Sequence, residues 1–184
     1  VAPAVIFYNV YECGSTDEDT ASETVDTSAA GANVLIADGT INNVTGSYVA
    51  RIYDPDSVVL SEDGMTVEDS EKLHKYDGAF YSKMSMNVDG GEAGTGVLNI
   101  TADNEGLDTE LHLTINGGTI NITSGNDGIN TNEDNVSVTT VNGGSVNIQV
   151  TGETGEGDGI DSNGYLVING GTVTAAACSQ SADA

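Results

Sequence analysis

Three short segments carry the residues best suited to chemistry, and each has the pattern acidic residue, Gly, aliphatic residue, Asp or Asn. They are Glu105-Gly106-Leu107-Asp108, Asp127-Gly128-Ile129-Asn130 and Asp158-Gly159-Ile160-Asp161. Carboxylates stacked about 4 Å apart repel by roughly 1 kcal/mol even in water, unless a cation lies between them. Calcium takes carboxylate, amide and carbonyl oxygens, whereas zinc would need His or Cys. The segments therefore predict acidic turns that bind calcium.

The predicted calcium ligands are the polar residues of these segments and three residues just upstream of them. The full set is Asp103, Glu105, Asp108, Asn126, Asp127, Asn130, Glu156, Asp158 and Asp161. The alternative is that these acidic residues only decorate solvated turns.

A second pattern, an aliphatic residue followed by Asn or Asp and two glycines, sets the spacing of the chain. It occurs at Val88–Gly91, Ile115–Gly118, Val141–Gly144 and Ile168–Gly171, so the second glycines are 27, 26 and 27 residues apart. Apolar and polar residues then alternate with the period of a β-strand, as in Leu98-Asn99-Ile100. A strand after each glycine pair, an acidic segment and a third apolar segment together describe one coil of a solenoid.

We therefore predict an all-β fold, a right-handed parallel β-helix with three short strands in each coil of about 26–27 residues. Residues 1–184 are expected to form one domain, with a loop at 14–28 and an insertion at about 54–76. An antiparallel β-sandwich is the alternative fold, but it would not keep so regular a spacing.

The charge excludes several classes of function. The chain has 29 acidic and 4 basic residues and a net charge of −25, so nucleic acid and anionic membrane surfaces are repelled. No stretch approaches the ~18 apolar residues of a membrane span. A β-helix that cleaves acidic polysaccharide would need a strong base beside its calcium, but Arg51, Lys72, Lys75 and Lys83 all precede the acidic segments. We therefore predict no catalytic residues and no enzyme activity.

Asn99, Asn121 and Asn147 occupy the same polar position in successive repeats. They are either a stacked amide ladder that stabilises a sheet or a flat polar face that contacts a sugar chain. Tyrosines are a second candidate for contact with sugar rings, although partly buried tyrosines are equally ordinary. The tyrosines in question are Tyr48, Tyr53, Tyr76 and Tyr81.

Several motifs, taken together, cover most of the chain from about Asn33 onward. They are Ala37–Thr40, Asp77–Lys83, Leu113–Thr119, Asn126–Ile129 and Gly157–Asp161. In these motifs the sequence resembles the calcium-binding parallel β-helix carbohydrate-binding domains of bacterial surface proteins, whose described members bind polygalacturonate and cellulose. The resemblance implies a non-catalytic, secreted or cell-surface protein that binds pectin-like or cellulosic polysaccharide, with calcium bridging to an acidic chain.

The alternative function is that of a structural subunit that assembles end to end with copies of itself. Solenoids need polar caps, and neither Val5–Tyr8 nor the last coil has the sequence of a cap.

The two cysteines bear on this alternative. About five coils of about 4.8 Å each separate Cys13 from Cys178, whereas a disulfide needs Cα atoms within about 7 Å. They are therefore predicted to be either free thiols or partners in an intermolecular disulfide between stacked copies.

Overall fold

The computed structural model of the protein describes residues 3–8, 10–12, 15, 31–47, 57–65, 67–69, 78–152 and 157–177. Within these residues the structure consists of strands and connecting turns, without helices. The strands are β1 (Val5–Phe7), β2 (Ala32–Ile36), β3 (Ile41–Gly46), β4 (Val59–Leu60), β5 (Val67–Asp69), β6 (Gly78–Ser82), β7 (Met86–Gly90), β8 (Val97–Ala102), β9 (Glu105–Thr109), β10 (Leu113–Ile115), β11 (Thr119–Ser124), β12 (Ile129–Thr131), β13 (Val138–Val141), β14 (Ser145–Val150), β15 (Ile160–Ser162), β16 (Tyr165–Ile168) and β17 (Thr172–Ala176).

Three parallel five-stranded sheets surround the core. Sheet A contains β1, β6, β9, β12 and β15; sheet B contains β2, β7, β10, β13 and β16; sheet C contains β3, β8, β11, β14 and β17. Each coil contributes one strand to each sheet in the order A, B, C. Coil 1 is β1-β2-β3, coil 2 is β6-β7-β8, coil 3 is β9-β10-β11, coil 4 is β12-β13-β14 and coil 5 is β15-β16-β17. The predicted parallel β-helix with three strands per coil is confirmed.

The number of residues per coil is regular at the ends of the sheet B strands and irregular elsewhere. At those ends, Asp89 and Asn116 are 27 residues apart, Asn116 and Asn142 are 26, and Asn142 and Asn169 are 27. In sheet C the step from Asn99 to Asn121 is only 22 residues. The corners between strands absorb these differences, because the strands themselves stay in register.

Aliphatic side chains from all three sheets fill the interior. In sheet C, Leu98, Ile120 and Val146 are paired positions on successive strands, and all three are buried. Leu107 of sheet A and Leu113 of sheet B have no exposed surface. Full burial of a side chain of this kind contributes about 1.5–3 kcal/mol to stability, so these rows hold the coils together.

The glycine pairs make the corner between sheets B and C. The second glycine has a φ of 85° at Gly118, 84° at Gly144 and 80° at Gly171, a conformation that glycine adopts without steric cost. This explains why the glycine pair repeats.

The predicted insertion contains a short antiparallel hairpin, β4–β5, between coils 1 and 2.

The acidic segments differ from the prediction, since they are not turns. Glu105–Thr109 is strand β9, and the two later segments continue into β12 and β15 of the same sheet. Their glycines are required by close packing: a Cβ on Gly128 would lie 2.6 Å from the carbonyl oxygen of Gly159.

Candidate functional site

One row of polar residues crosses sheet A on the side opposite the aliphatic core. Asp108, Asn130 and Asp161 are paired positions on β9, β12 and β15, so successive strands place them about 4.8 Å apart. Asp108 has no exposed surface, and Asn130 is 9% exposed. We call these three residues the acidic row. The predicted alignment of these residues is confirmed, but the expectation that they lie on turns is wrong, because all three lie in strands.

The hydrogen bonds of the acidic row leave one buried oxygen unused. Oδ1 of Asp108 accepts a hydrogen bond of 2.8 Å from Nδ2 of Asn132. Oδ1 of Asn130, between the two carboxylates, is buried without a hydrogen-bond partner. A buried oxygen of this kind costs about 1–3 kcal/mol when nothing compensates it. A hard cation would compensate it, so this donor set fits calcium.

The first residues of the acidic segments form a second row at the edge of sheet A. Backbone bonds from Gly106 N to Asp127 O (3.0 Å) and from Gly128 N to Asp158 O (2.9 Å) align Glu105, Asp127 and Asp158. All three are buried. Oδ1 of Asp127 accepts the backbone N–H of Asp158 at 2.7 Å. Asp127 therefore ties coil 4 to coil 5 directly, a role that its sequence pattern did not reveal.

Two of the remaining predicted ligands, Asp103 and Asn126, lie outside the strands of sheet A. Asp103 is exposed at the end of β8, and Asn126 is half-buried beside Asp127, to which its Nδ2 donates at 3.4 Å. Glu156 lies outside the described residues, as do Cys13 and Cys178. The described ranges contain no group of three or more His, Cys, Asp or Glu side chains that could hold a metal ion. A metal site in this part of the chain would therefore combine at most two such side chains with amide or carbonyl oxygens.

The outer surface of sheet C carries no charged side chain on its strands. A hydrogen-bonded amide row runs along it: Asn99 Nδ2 donates to Asn43 Oδ1 at 2.9 Å, Asn121 to Asn99 at 2.8 Å, and Asn147 to Asn121 at 2.9 Å. The ladder interpretation is thus confirmed. We call the whole surface the amide face; its outward residues are Ile41, Asn43, Thr45, Val97, Asn99, Thr101, Thr119, Asn121, Thr123, Ser145, Asn147, Gln149, Thr172, Thr174 and Ala176.

A second amide row lies at the corner between sheets B and C. Asn116 Nδ2 donates to Asp89 Oδ1 at 2.8 Å, Asn142 donates to Asn116 at 2.8 Å, and Asn169 donates to Asn142 at 2.9 Å. These residues are the Asn or Asp of the glycine-pair motif. The motif therefore supplies a turn and a ladder at once.

The family is decided by comparison with known proteins. Residues 15–184 match the family described as "Carbohydrate-binding domain-containing protein". The chain belongs to this family. No curated protein and no solved structure matches the chain.

In this carbohydrate-binding domain, Tyr81 cannot stack on a sugar ring. It is 3% exposed, and its hydroxyl donates to Oε1 of Glu110 at 2.8 Å. Tyr48, Tyr53 and Tyr76 lie outside the described residues. The exposed tyrosines of the described part are Tyr8, Tyr11 and Tyr165, which the sequence pattern did not single out.

A buried polar cluster joins the N-terminal segment to the solenoid. Oε2 of Glu12 accepts the backbone N–H of Ser85 at 2.8 Å, and Nδ1 of His112 accepts that of Val138 at 3.1 Å. Glu12 and His112 are both buried. Burial lowers the pKa of His112, and the negative charge of Glu12 opposes this effect. The cluster therefore has a structural role, in holding the N-terminal segment against the solenoid.

Asp38, in the motif Ala37–Thr40, also has a structural role. Its carboxylate accepts the backbone N–H groups of Ala93 at 3.0 Å and Thr95 at 2.9 Å. These hydrogen bonds hold the pKa of Asp38 below its usual value. Asp38 therefore fastens coil 1 to the long corner of coil 2.

The part of the chain that the structure describes contains no helix long and apolar enough to cross a membrane.

Proposed function

We propose that the protein binds polysaccharide through the amide face. The observation that carries this proposal is that none of the outward residues of sheet C is charged, although the chain has a net charge of −25. Rows of amides and hydroxyls repeat about every 4.8 Å across five strands. Such a surface offers donors and acceptors to the hydroxyl groups of an extended sugar chain without desolvating a charge.

A neutral, cellulosic chain suits this face better than an acidic one. A polyuronate such as polygalacturonate would approach a protein of the same sign of charge and would be repelled at low salt. Binding of that polymer would therefore require calcium in solution to bridge the carboxylates. We propose binding of both polymers, but only binding of the acidic polymer should require added calcium.

Calcium at the acidic row is proposed as a structural ion. Asp108 has no exposed surface, and Asn130 is 9% exposed, so a polysaccharide could not reach an ion held between them. When bound, calcium would neutralise the carboxylates and satisfy Oδ1 of Asn130. The chain would supply Asp108, Asn130 and Asp161 as ligands.

We further propose that the protein is secreted or displayed at the cell surface and does not cleave its ligand. The matched family supports a binding role, and long polysaccharides are met outside the cell. Release of new reducing ends or unsaturated sugar ends from the bound polymer would contradict the non-catalytic assignment.

A matched pair of variants tests the amide face. Asn121→Asp breaks the middle of the row and places a charge on the face, whereas Asn142→Asp makes the same change in the corner row. We expect electrophoretic retardation in gels containing a soluble cellulose ether to weaken at least about tenfold for Asn121→Asp, equivalent to about 1.4 kcal/mol. Asn142→Asp should bind like the wild type.

Equal retardation of the two variants would contradict the assignment of this face. Failure of the wild type to bind the cellulose ether, and also polygalacturonate with millimolar calcium, would contradict carbohydrate binding itself. Circular dichroism of both variants checks that each retains the β-sheet spectrum.

A further inference from the structure

Two large aliphatic side chains lie side by side on the amide face. Ile41 of β3 and Val97 of β8 are paired positions on neighbouring strands, which lie about 4.8 Å apart. Ile41 is 71% exposed, more than any other large apolar side chain in the described strands of the three parallel sheets, and Val97 is half-buried. We call these two residues the aliphatic pair. The other outward residues of sheet C are polar, apart from Ala176.

The row that contains the aliphatic pair changes character along the sheet. It is aliphatic on coils 1 and 2, whereas Thr119, Ser145 and Thr172 make it a row of hydroxyl groups on coils 3, 4 and 5. Thr favours strands as Ile and Val do, so strand propensity does not require an aliphatic residue here. An exposed Ile41 also gains little of the ~1.5–3 kcal/mol that burial of such a side chain provides. Contact with a ligand would supply the missing burial.

Hydrogen-bonding groups lie next to the aliphatic pair on the same face. Asn43 and Asn99 follow two residues later on the same two strands, about 6.6 Å further along. Nδ2 of Asn99 donates to Oδ1 of Asn43 at 2.9 Å. This bond uses one of the two N–H groups of Asn99 and one of the two lone pairs of Asn43. A ligand that covers the aliphatic pair therefore meets amide donors and acceptors at its rim.

A pyranose ring whose substituents are all equatorial offers the matching combination of surfaces. Its hydroxyl groups point outward around the rim, while its two faces carry only C–H bonds and are apolar. The β-linked glucose residues of cellulose have this form, and their linkage keeps successive rings in an extended ribbon. In polygalacturonate both bonds to the neighbouring residues are axial, so the ring faces are interrupted and the chain bends at each residue. The two polymers therefore differ in the apolar face that they offer.

We propose that the aliphatic pair is a sugar-stacking subsite that makes the amide face select cellulosic glucan over polygalacturonate. This inference rests on carbohydrate binding by the amide face, as proposed above. The C–H face of one glucose residue covers Ile41 and Val97, which releases water from apolar surface. The equatorial hydroxyl groups of the same residue meet Asn43 and Asn99. A galacturonate residue in this place would bring its carboxylate against uncharged side chains on a protein of net charge −25, which costs desolvation and repulsion.

Exchanges among β-branched residues test the subsite while largely preserving strand propensity. Ile41→Thr and Val97→Thr each replace apolar surface by a hydroxyl group, whereas Ile41→Val keeps the surface apolar. Thr119→Val extends the aliphatic pair onto coil 3. Val59→Thr, at a position 49% exposed on the hairpin, is the matched control. Gel retardation measures affinity for a soluble cellulose ether, and titration calorimetry measures affinity for polygalacturonate with millimolar calcium.

The two polymers should respond differently to these variants. We expect Ile41→Thr and Val97→Thr each to weaken binding of the cellulose ether at least about threefold, because apolar contact area is lost. Ile41→Val and Val59→Thr should bind it like the wild type, and Thr119→Val should bind it more tightly. Affinity for polygalacturonate should be the same in all variants as in the wild type, since that polymer does not use the aliphatic pair.

Equal binding of the cellulose ether by the wild type, Ile41→Thr and Val97→Thr would overturn the subsite. Equal weakening of both polymers in these two variants would overturn the selectivity. A wild type that binds polygalacturonate with calcium but not the cellulose ether would also overturn the subsite, while carbohydrate binding would stand. A wild type that binds neither polymer would contradict the proposed function together with the subsite. Thermal melting followed by circular dichroism checks that every variant is folded.

Discussion

Replacing Asn121 by Ala removes the centre of the amide row. The wild-type side chain donates one hydrogen bond to Asn99 and accepts one from Asn147. Each such bond contributes about 0.5–1.5 kcal/mol net. The row is half-buried, so water can reach part of the amides left behind. We therefore expect the free energy of unfolding to fall by about 1–2 kcal/mol, the lower half of the range for two hydrogen bonds. For a chain of this length that corresponds to a fall in Tm of roughly 2–8 °C.

Thr123→Ala is the matched control for this substitution. Thr123 lies on the same strand and the same face. Thr favours strands whereas Asn is disfavoured in them, so strand propensity alone would make Thr123→Ala the more costly change. Asn169→Ala offers a graded comparison in the corner row, because Asn169 makes one ladder bond while Asn142 makes two. Urea unfolding followed by circular dichroism measures all four variants.

We expect Asn121→Ala to lower the free energy of unfolding more than Thr123→Ala does, and Asn142→Ala to lower it more than Asn169→Ala does. If Asn121→Ala lowers the free energy of unfolding less than Thr123→Ala does, the ladder contributes less than the strand propensity of one side chain, and the argument fails.

Two further predictions concern calcium and pH. Calcium at a hundredfold excess over its Kd should add ~2.7 kcal/mol, so a chelator should lower the Tm by roughly 5–10 °C; this difference should vanish in Asn130→Ala and persist in Thr140→Ala, and an unchanged melting curve in chelator would refute the site. Because burial lowers the pKa of His112, the unfolded chain binds a proton at higher pH than the folded chain. Stability should therefore be full above the unfolded pKa of about 6.5 and fall as the pH drops below it, by at most about 1.4 kcal/mol per pH unit for this group. Urea midpoints at pH 7.5 and 5 should differ less in His112→Asn than in the wild type; equal differences would show that His112 does not titrate in this way.

Sheet C and the corner before it were predictable because single residues there obey local rules. Leu98, Ile120 and Val146 alternate with Asn99, Asn121 and Asn147, and only one face of this sheet is buried. Gly118 and Gly144 need a positive φ, so the glycine pair marks the same corner in each coil. Together these signals predicted the coils and the number of strands in each.

Sheet A was harder to read because both of its sides are buried. Asp, Asn and Gly are the residues typical of turns, so Glu105-Gly106-Leu107-Asp108 indicated a turn. In the structure a Cβ on Gly106 would collide with the carbonyl oxygen of Gly128, and Asp108 is completely buried. Gly106 and Asp108 therefore lie in closely stacked strands that are distant from one another in the sequence. Local rules, which consider only neighbouring residues, predict a turn for the same residue types.

The ladder that stabilises the amide face would also prepare it for the proposed ligand. A side-chain amide has two N–H donors and two acceptor lone pairs, and Asn121 uses one of each on its neighbours. One N–H and one lone pair remain for a ligand, on a side chain whose rotamer is already fixed. Binding then costs little side-chain entropy.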